Sequence, residues 1–167
     1  GGGFIGVEVA ENLACAGLLV TLVEGADQVL APFDYDMAQI LHKELMDNGV
    51  QVELNSLLTA VHPDRITVTR DGEAFDLPAQ MVVLAIGVSP ETALAKDAGL
   101  AIGETRGIKV DANWRTEDED VYAVGDAVES FDRLARRPGR LALAGPAQRQ
   151  ARAAADHICG RPADTRG

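Results

Sequence analysis

The chain has 167 residues, 47% apolar and 25% charged, with a formal net charge of −11. That composition suits a globular chain able to bury a core. The acidic balance argues against nucleic acid or anionic membrane as the main partner, because polyphosphate recognition needs a basic footprint. Apolar runs stay short of the roughly 18 residues of a membrane span. Cys15 and Cys159 stand far apart and form neither a metal knuckle nor a disulfide framework, which predicts a reduced, cytoplasmic chain.

The first stretch, GGGFIGVEVAENL, sets Gly1, Gly3 and Gly6 in the spacing G-x-G-x-x-G. A helix is predicted over 4–16, with Val7, Ala10, Leu13 and Ala14 on one face and Gly17 as its stop. LLVTLVE, residues 18–24, reads as a buried parallel strand that ends in an acid. A second helix is expected over 35–48, with Met37, Ile40, Leu41 and Leu45 at helical spacing and Gly49 ending it. VQVEL (50–54) is the next strand. RITVTRDGEAFDL alternates on both sides of Asp71-Gly72, the signature of a hairpin.

MVVLAIG (81–87) is apolar throughout and predicts a central strand covered on both faces. TALAKDAGL has weak helical character, and a short strand is expected over 107–110. VYAVGDA (121–127) reads as an apolar strand ending in Gly125-Asp126, and residues 136–139 read as an exposed loop. The last helix is predicted over 146–158, with Pro146 at its first position and Gly160 past its end.

Two places carry chemistry. In a G-x-G-x-x-G turn the first glycine allows the tight bend, the second lets backbone approach a pyrophosphate, and the third lets helix and strand pack closely. An acid at the end of the following strand, here Glu24, can accept hydrogen bonds from both hydroxyls of an adenosine ribose. It would also repel a 2′-phosphate, which favours NADH over NADPH. A strand-terminal acid merely sitting in a loop is the plain alternative. At the second place, Asp126 would sit at a strand C-terminus, where open α/β sheets bind ligands, and Gly125 would permit close approach. By spacing alone Asp126 can equally be a helix N-cap.

Five segments in order, GGGFIGVEVAENL, VTLVEGADQVL, LAIGVSPET, GIKVDANWRTEDEDVYAVGDAVE and LALAGPAQRQARAAADHI, resemble the FAD-dependent pyridine nucleotide-disulfide oxidoreductases. The likeness is greatest to their coenzyme A-disulfide reductase and NADH oxidase branch. The resemblance implies an α/β fold. Residues 1–88 would form a Rossmann-like NAD(P)H-binding domain with a β-meander insertion, lacking its first strand. Residues 89–167 would form the second segment of an FAD-binding domain. It further implies a chain truncated at both ends, without the first FAD segment, the redox cysteine of that segment, or a C-terminal dimerisation domain.

The same resemblance implies the site residues. Gly1, Gly3 and Gly6, with Phe4 and Ile5 inside the turn, would hold the dinucleotide. Phe4 matches an aromatic that covers the flavin and swings aside for nicotinamide, with core packing as its rival role. Glu8 matches an acid near the nicotinamide, although a helical Glu is also an ordinary solvated residue. Gly87 would let backbone pass close to the nucleotide. Asp126, beside Gly125, matches the acid that binds the ribityl chain of FAD. Gly145, Pro146 and Ala147 match a helix start aimed at the flavin pyrimidine edge.

The implied activity is hydride transfer from NAD(P)H to FAD, and onward to a disulfide, polysulfide or oxygen acceptor, in a homodimeric full-length protein. The chain alone supplies no catalytic residue and is expected to be inactive and colourless. Two rivals stay open: a rubredoxin-, ferredoxin- or nitrite-reductase-like flavoprotein, and a non-catalytic NAD-binding module. His42, His62 and His157 share no metal-ligand spacing, and Cys15 is expected to be a small buried hydrophobe.

Overall fold

The computed structural model describes residues 1–162, so the second segment expected over 89–167 is followed to residue 162. The chain divides into two compact units, Gly1–Val88 and one that begins at Ser89.

The first unit opens with helix α1 (Phe4–Cys15), then strand β1 (Thr21–Val23), helix α2 (Tyr35–Asp47) and strand β2 (Gln51–Glu53). The strands β1 and β2 pair in parallel, Thr21 opposite Gln51 and Val23 opposite Glu53. Both strands are shorter than the sequence suggests, because the helix ends claim the flanking amides. After α1, Gly17 takes φ +86, and the Leu18 N–H donates to Leu13 O at 3.1 Å. After α2, Gly49 takes φ +81, and the Val50 N–H donates to Leu45 O at 2.9 Å. Each amide closes a helix cap and so is lost to the ladder. The predicted strand residues Leu18 and Leu19 are exposed as a result.

The core of this unit is Ala10, Leu22, Val29, Leu45 and Val50, with Val7, Ala14, Leu41 and Val52 packed against it. On α2 the buried face carries Ala38, His42 and Leu45, while Met37 and Ile40 point outward. Cys15 is exposed, not buried, since the inward positions of α1 are Gly6 and Ala10.

A three-stranded antiparallel meander follows: β3 (Leu57–Val61), β4 (Arg65–Arg70) and β5 (Glu73–Pro78). Asp71 and Gly72, at φ +52 and +83, turn β4 into β5. That pair of positive angles is what a two-residue hairpin with native twist requires. The strand β3 is not evident in the sequence, because its register shifts between Leu58 and Ala60 and the alternation breaks there.

The expected central strand over 81–87 does not form. Met81, Val82, Val83, Leu84 and Ile86 are exposed, and no ladder partner bonds the segment among the described residues. An apolar run becomes a strand only when a neighbour takes its backbone groups.

The second unit holds helix α3 (Ala93–Asp97), strands β6 (Ile108–Lys109), β7 (Val128–Asp132) and β8 (Arg137–Gly139), and helix α4 (Ala144–Ile158). The central strand β7 pairs in parallel with β6 and antiparallel with β8. Three expectations change here. VYAVGDA is not a strand: it makes one isolated bridge, Arg115 to Tyr122, and the strand begins after it at Val128. The predicted loop over 136–139 instead contributes β8, bonded to β7. The last helix starts at Ala144, with Leu143 as N-cap, so Pro146 is its third residue. Proline fits anywhere in a first turn, where N–H groups lack helical partners in any case. Trp114, Ala153 and Ala154 form the core, with Val110 and Tyr122 against it.

Candidate functional site

In the first unit the three motif glycines stand in different surroundings. A Cβ on Gly6 would fall 1.8 Å from Gly1 O, and one on Gly1 would fall 2.2 Å from Ala85 O. Those two positions are closed to any side chain. A Cβ on Gly3 would meet nothing within 4 Å, so the middle glycine faces open space. Gly3 is also the N-cap of α1, makes no side-chain cap bond, and is followed by no acidic residue in the first turn. A helix start with free N–H groups and an open approach is a place for an anion. The residues present therefore fit a dinucleotide pyrophosphate.

Glu24 is drawn to the same turn. Its carboxylate accepts the Gly2 N–H through Oε2 and the Ala26 N–H through Oε1, the latter at 2.8 Å. Burial pushes the carboxyl up. The N–H groups of Gly2, Ala26 and Gly25 bond to the charged form and hold the carboxyl below its usual 4.5. A carboxylate has about four acceptor positions, so ribose hydroxyls can still bond to it.

Phe4 is 56% exposed. Its ring meets Phe33 edge-on, centroids 6.0 Å apart. Ile5 and Glu8 are exposed on α1, where with Val9 and Asn12 they line a shallow concavity. Gly87 takes φ +107, two residues beyond the Ala85 that abuts Gly1. Missed by the sequence reading are His42, Val29 and Leu30. Val29 and Leu30, inside the VTLVEGADQVL segment, wall the turn, and His42 on α2 accepts from Val29 behind them; the local sequence does not mark that role.

In the second unit, Gly125 takes φ +84 and its N–H donates to Gln150 Oε1 at 2.7 Å. A Cβ on Gly125 would lie 3.9 Å from Ala147 Cβ. The Gly125-Asp126 turn therefore sits against the first turns of α4, and the structure brings together Gly125, Asp126 and Ala147. Gln150, buried on α4, is a member that sequence reasoning did not find. Asp126 leads through a turn into β7, so it is not a helix N-cap. Asp126 is exposed, and its backbone oxygen accepts an N–H from Arg140 Nη1 at 3.3 Å. At the start of α4, Gly145 faces open space, the N-cap makes no side-chain bond, and no acid stands in the first turn. A helix start free of acids beside an exposed carboxylate suits a ligand with an electron-rich ring and hydroxyls, as FAD has.

These features fit an α/β protein of the nucleotide-binding class. Residues 1–151 match the family model described as pyridine nucleotide-disulphide oxidoreductase, and the chain belongs to that family. The family is FAD- and NAD(P)H-dependent. The chain is 39% identical over 163 residues to an NADH oxidase of Methanocaldococcus jannaschii, covering 96% of this chain and 36% of that protein. Among solved structures it is similar to reduced CoADR-RHD of Bacillus anthracis, with TM-score 0.90, 42% identity, and coverage of 96% of this chain and 28% of that one. It is also similar to the NAD-dependent persulfide reductase from A. fulgidus, with TM-score 0.90, 34% identity, and coverage of 98% and 30%. The chain thus spans about a third of the length of the curated relatives it matches. Among the described residues, no helix is long and apolar enough to cross a membrane and no cluster is built for a metal ion.

Proposed function

We propose that this chain is the NAD(P)H-binding unit (1–88) and the second FAD-binding segment (89–167) of a longer flavoprotein. That protein passes hydride from NAD(P)H, with NADH favoured, to FAD and on to a disulfide, polysulfide or oxygen acceptor. The observation that carries the reading is the contrast among the motif glycines: Gly1 and Gly6 are closed by backbone, while Gly3 is open at a helix N-cap without acids. The names of the relatives, NADH oxidase and persulfide reductase, support the acceptor classes.

In this reading the amides at the start of α1 bind the pyrophosphate, which approaches over Gly3. Glu24 accepts the ribose hydroxyls and disfavours a 2′-phosphate by like-charge repulsion. Phe4 covers the flavin and swings aside for the nicotinamide, Ile5 belongs to the dinucleotide turn, Glu8 lies near the nicotinamide, and Gly87 lets backbone pass close to the nucleotide. Asp126 accepts from the ribityl hydroxyls. The α4 start, through Gly145, Pro146 and Ala147, supplies a partial positive charge to the pyrimidine edge of the flavin. Bound FAD supplies the electron-accepting chemistry, which belongs to the cofactor.

The test is anaerobic stopped-flow mixing of the full-length flavoprotein, working as a homodimer, with NADH and with NADPH. Rapid loss of the flavin's visible absorbance, faster with NADH, is expected. A flavin that neither nucleotide reduces would refute the reading. Residues 1–167 expressed alone are expected to be colourless and without turnover.

A further inference from the structure

The wall of the glycine turn packs on α2 in the core and is hydrogen-bonded to it through a histidine. His42, 5% exposed, accepts the Val29 N–H through Nε2 at 3.0 Å. Nε2 is therefore the bare ring nitrogen, and Nδ1, 3.2 Å from Gln39 Oε1, carries the proton. Val29 is fully buried, and its Cγ1 lies 3.0 Å from the place of a Cβ on Gly2. The next residue, Leu30, donates its N–H to Gly2 O at 2.8 Å. Leu30 has φ +48, a conformation unfavourable for a side chain with Cβ and γ carbons. Such a residue stays there only where its surroundings hold it. Here the Phe33 N–H bonds back to Leu30 O at 2.9 Å, and Gln28 Nε2 donates to Phe33 O at 2.9 Å. These two bonds are internal to the segment, whereas the His42 bond ties it to another element.

We propose that His42 is a positioning residue for the dinucleotide: acting through Val29 and Leu30, it fixes the Gly2 peptide and so the path of the turn into α1. The inference rests on reading that turn as a pyrophosphate site, and it assigns His42 no part in hydride transfer. A purely apolar residue would fill the same space between α2 and Val29, but it would leave the Val29 N–H without its acceptor. The imidazole is thus required for where it accepts, beyond the volume it fills.

The experiment compares wild-type full-length flavoprotein with His42→Leu, which keeps bulk and loses the acceptor, and with His42→Gln, whose amide oxygen reaches the place of Nε2. Calorimetric titration with ADP-ribose gives Kd for the redox-inert part of NADH. Steady-state kinetics give kcat and KM. His42→Leu is expected to raise both the ADP-ribose Kd and the NADH KM about tenfold, the size of one lost hydrogen bond. Its kcat and acceptor KM are expected to stay within about twofold, and His42→Gln to recover most of the affinity. If both variants merely lower Tm, and the folded protein binds ADP-ribose as the wild type does, the proposal is overturned. Should His42→Leu not fold, hydrogen exchange of the wild type decides: ADP-ribose must protect the Val29 and Leu30 amides together with that of Gly2, and unchanged exchange at Val29 overturns it. Failure of the wild type to bind ADP-ribose defeats the pyrophosphate reading and this inference with it, whereas wild-type affinity in His42→Leu defeats this inference alone.

Discussion

Gln150 Oε1 accepts the N–H of Gly125 at 2.7 Å, and that bond fastens α4 to the turn bearing Asp126. Gln150→Leu leaves the amide without its acceptor beside a buried position, at a cost of about 1–3 kcal/mol. Gln150→Glu keeps an oxygen in reach and is expected to lose less. Urea denaturation followed by the fluorescence of Trp114, the chain's one tryptophan and a core residue of the same unit, measures both. Equal stability of Gln150→Leu and wild type would show that the bond contributes nothing.

The motif glycines separate stability from binding. Gly6→Ala drives a Cβ into Gly1 O, where 1.8 Å is available, so helix or turn must shift. The expected outcome is a lower Tm together with lost NADH binding. Gly3→Ala meets open space, and φ −74 suits alanine, so its Tm should match wild type. Its Kd for NADH should rise by about tenfold or more, because the methyl group occupies the approach of the pyrophosphate. Gly3→Ala binding NADH as tightly as wild type would contradict the assignment.

Glu24 should make stability depend on pH. Its carboxyl is held below the usual 4.5 in the folded chain, so the folded state favours the charged form. The resulting stabilisation is fully present above about 4.5 and is lost as pH falls through the lower folded value. Denaturant titrations across that range should show wild type losing more stability on acidification than Glu24→Gln. Parallel curves would mean that the bonds to Gly2 and Ala26 do not favour the ionised group.

Trp114 is a buried indole whose Nε1 has no hydrogen-bond partner among the described residues. Trp114→Phe removes that N–H and keeps an aromatic ring against Ala153 and Ala154. Because an unsatisfied buried donor is costly, the loss from reduced volume is offset, and the net change is expected within about 1 kcal/mol. Since the probe itself is replaced, circular dichroism is the readout. A large drop would mean that the indole nitrogen is bonded in solution.

What the sequence showed follows from how local each signal is. Helices end where glycine takes positive φ, and Gly17, Gly49, Gly99 and Gly160 all do. The Asp71-Gly72 hairpin carries its turn chemistry in two adjacent residues. The glycine turn and Glu24 stand out as candidates because their spacing runs along one turn–helix–strand path. Strands were read less well, since a ladder needs a partner distant in sequence. MVVLAIG has the composition of a buried strand yet joins no ladder among the described residues, while VESFD, far more polar, is the central strand β7 of its sheet. The bulge at Thr59 hid β3 by breaking its period. His42 and Gln150 went unread because each acts on a backbone N–H elsewhere in the chain, at Val29 and Gly125, and such contacts leave no trace in local pattern.

The most direct measurement is a crystal structure of the full-length protein with FAD and NADH bound. The expected result is the NADH pyrophosphate over Gly3 at the start of α1, with its adenosine ribose on Glu24, and the FAD ribityl chain on Asp126 with its ring against Gly145 to Ala147. Finding either nucleotide bound away from these residues would contradict the assignment.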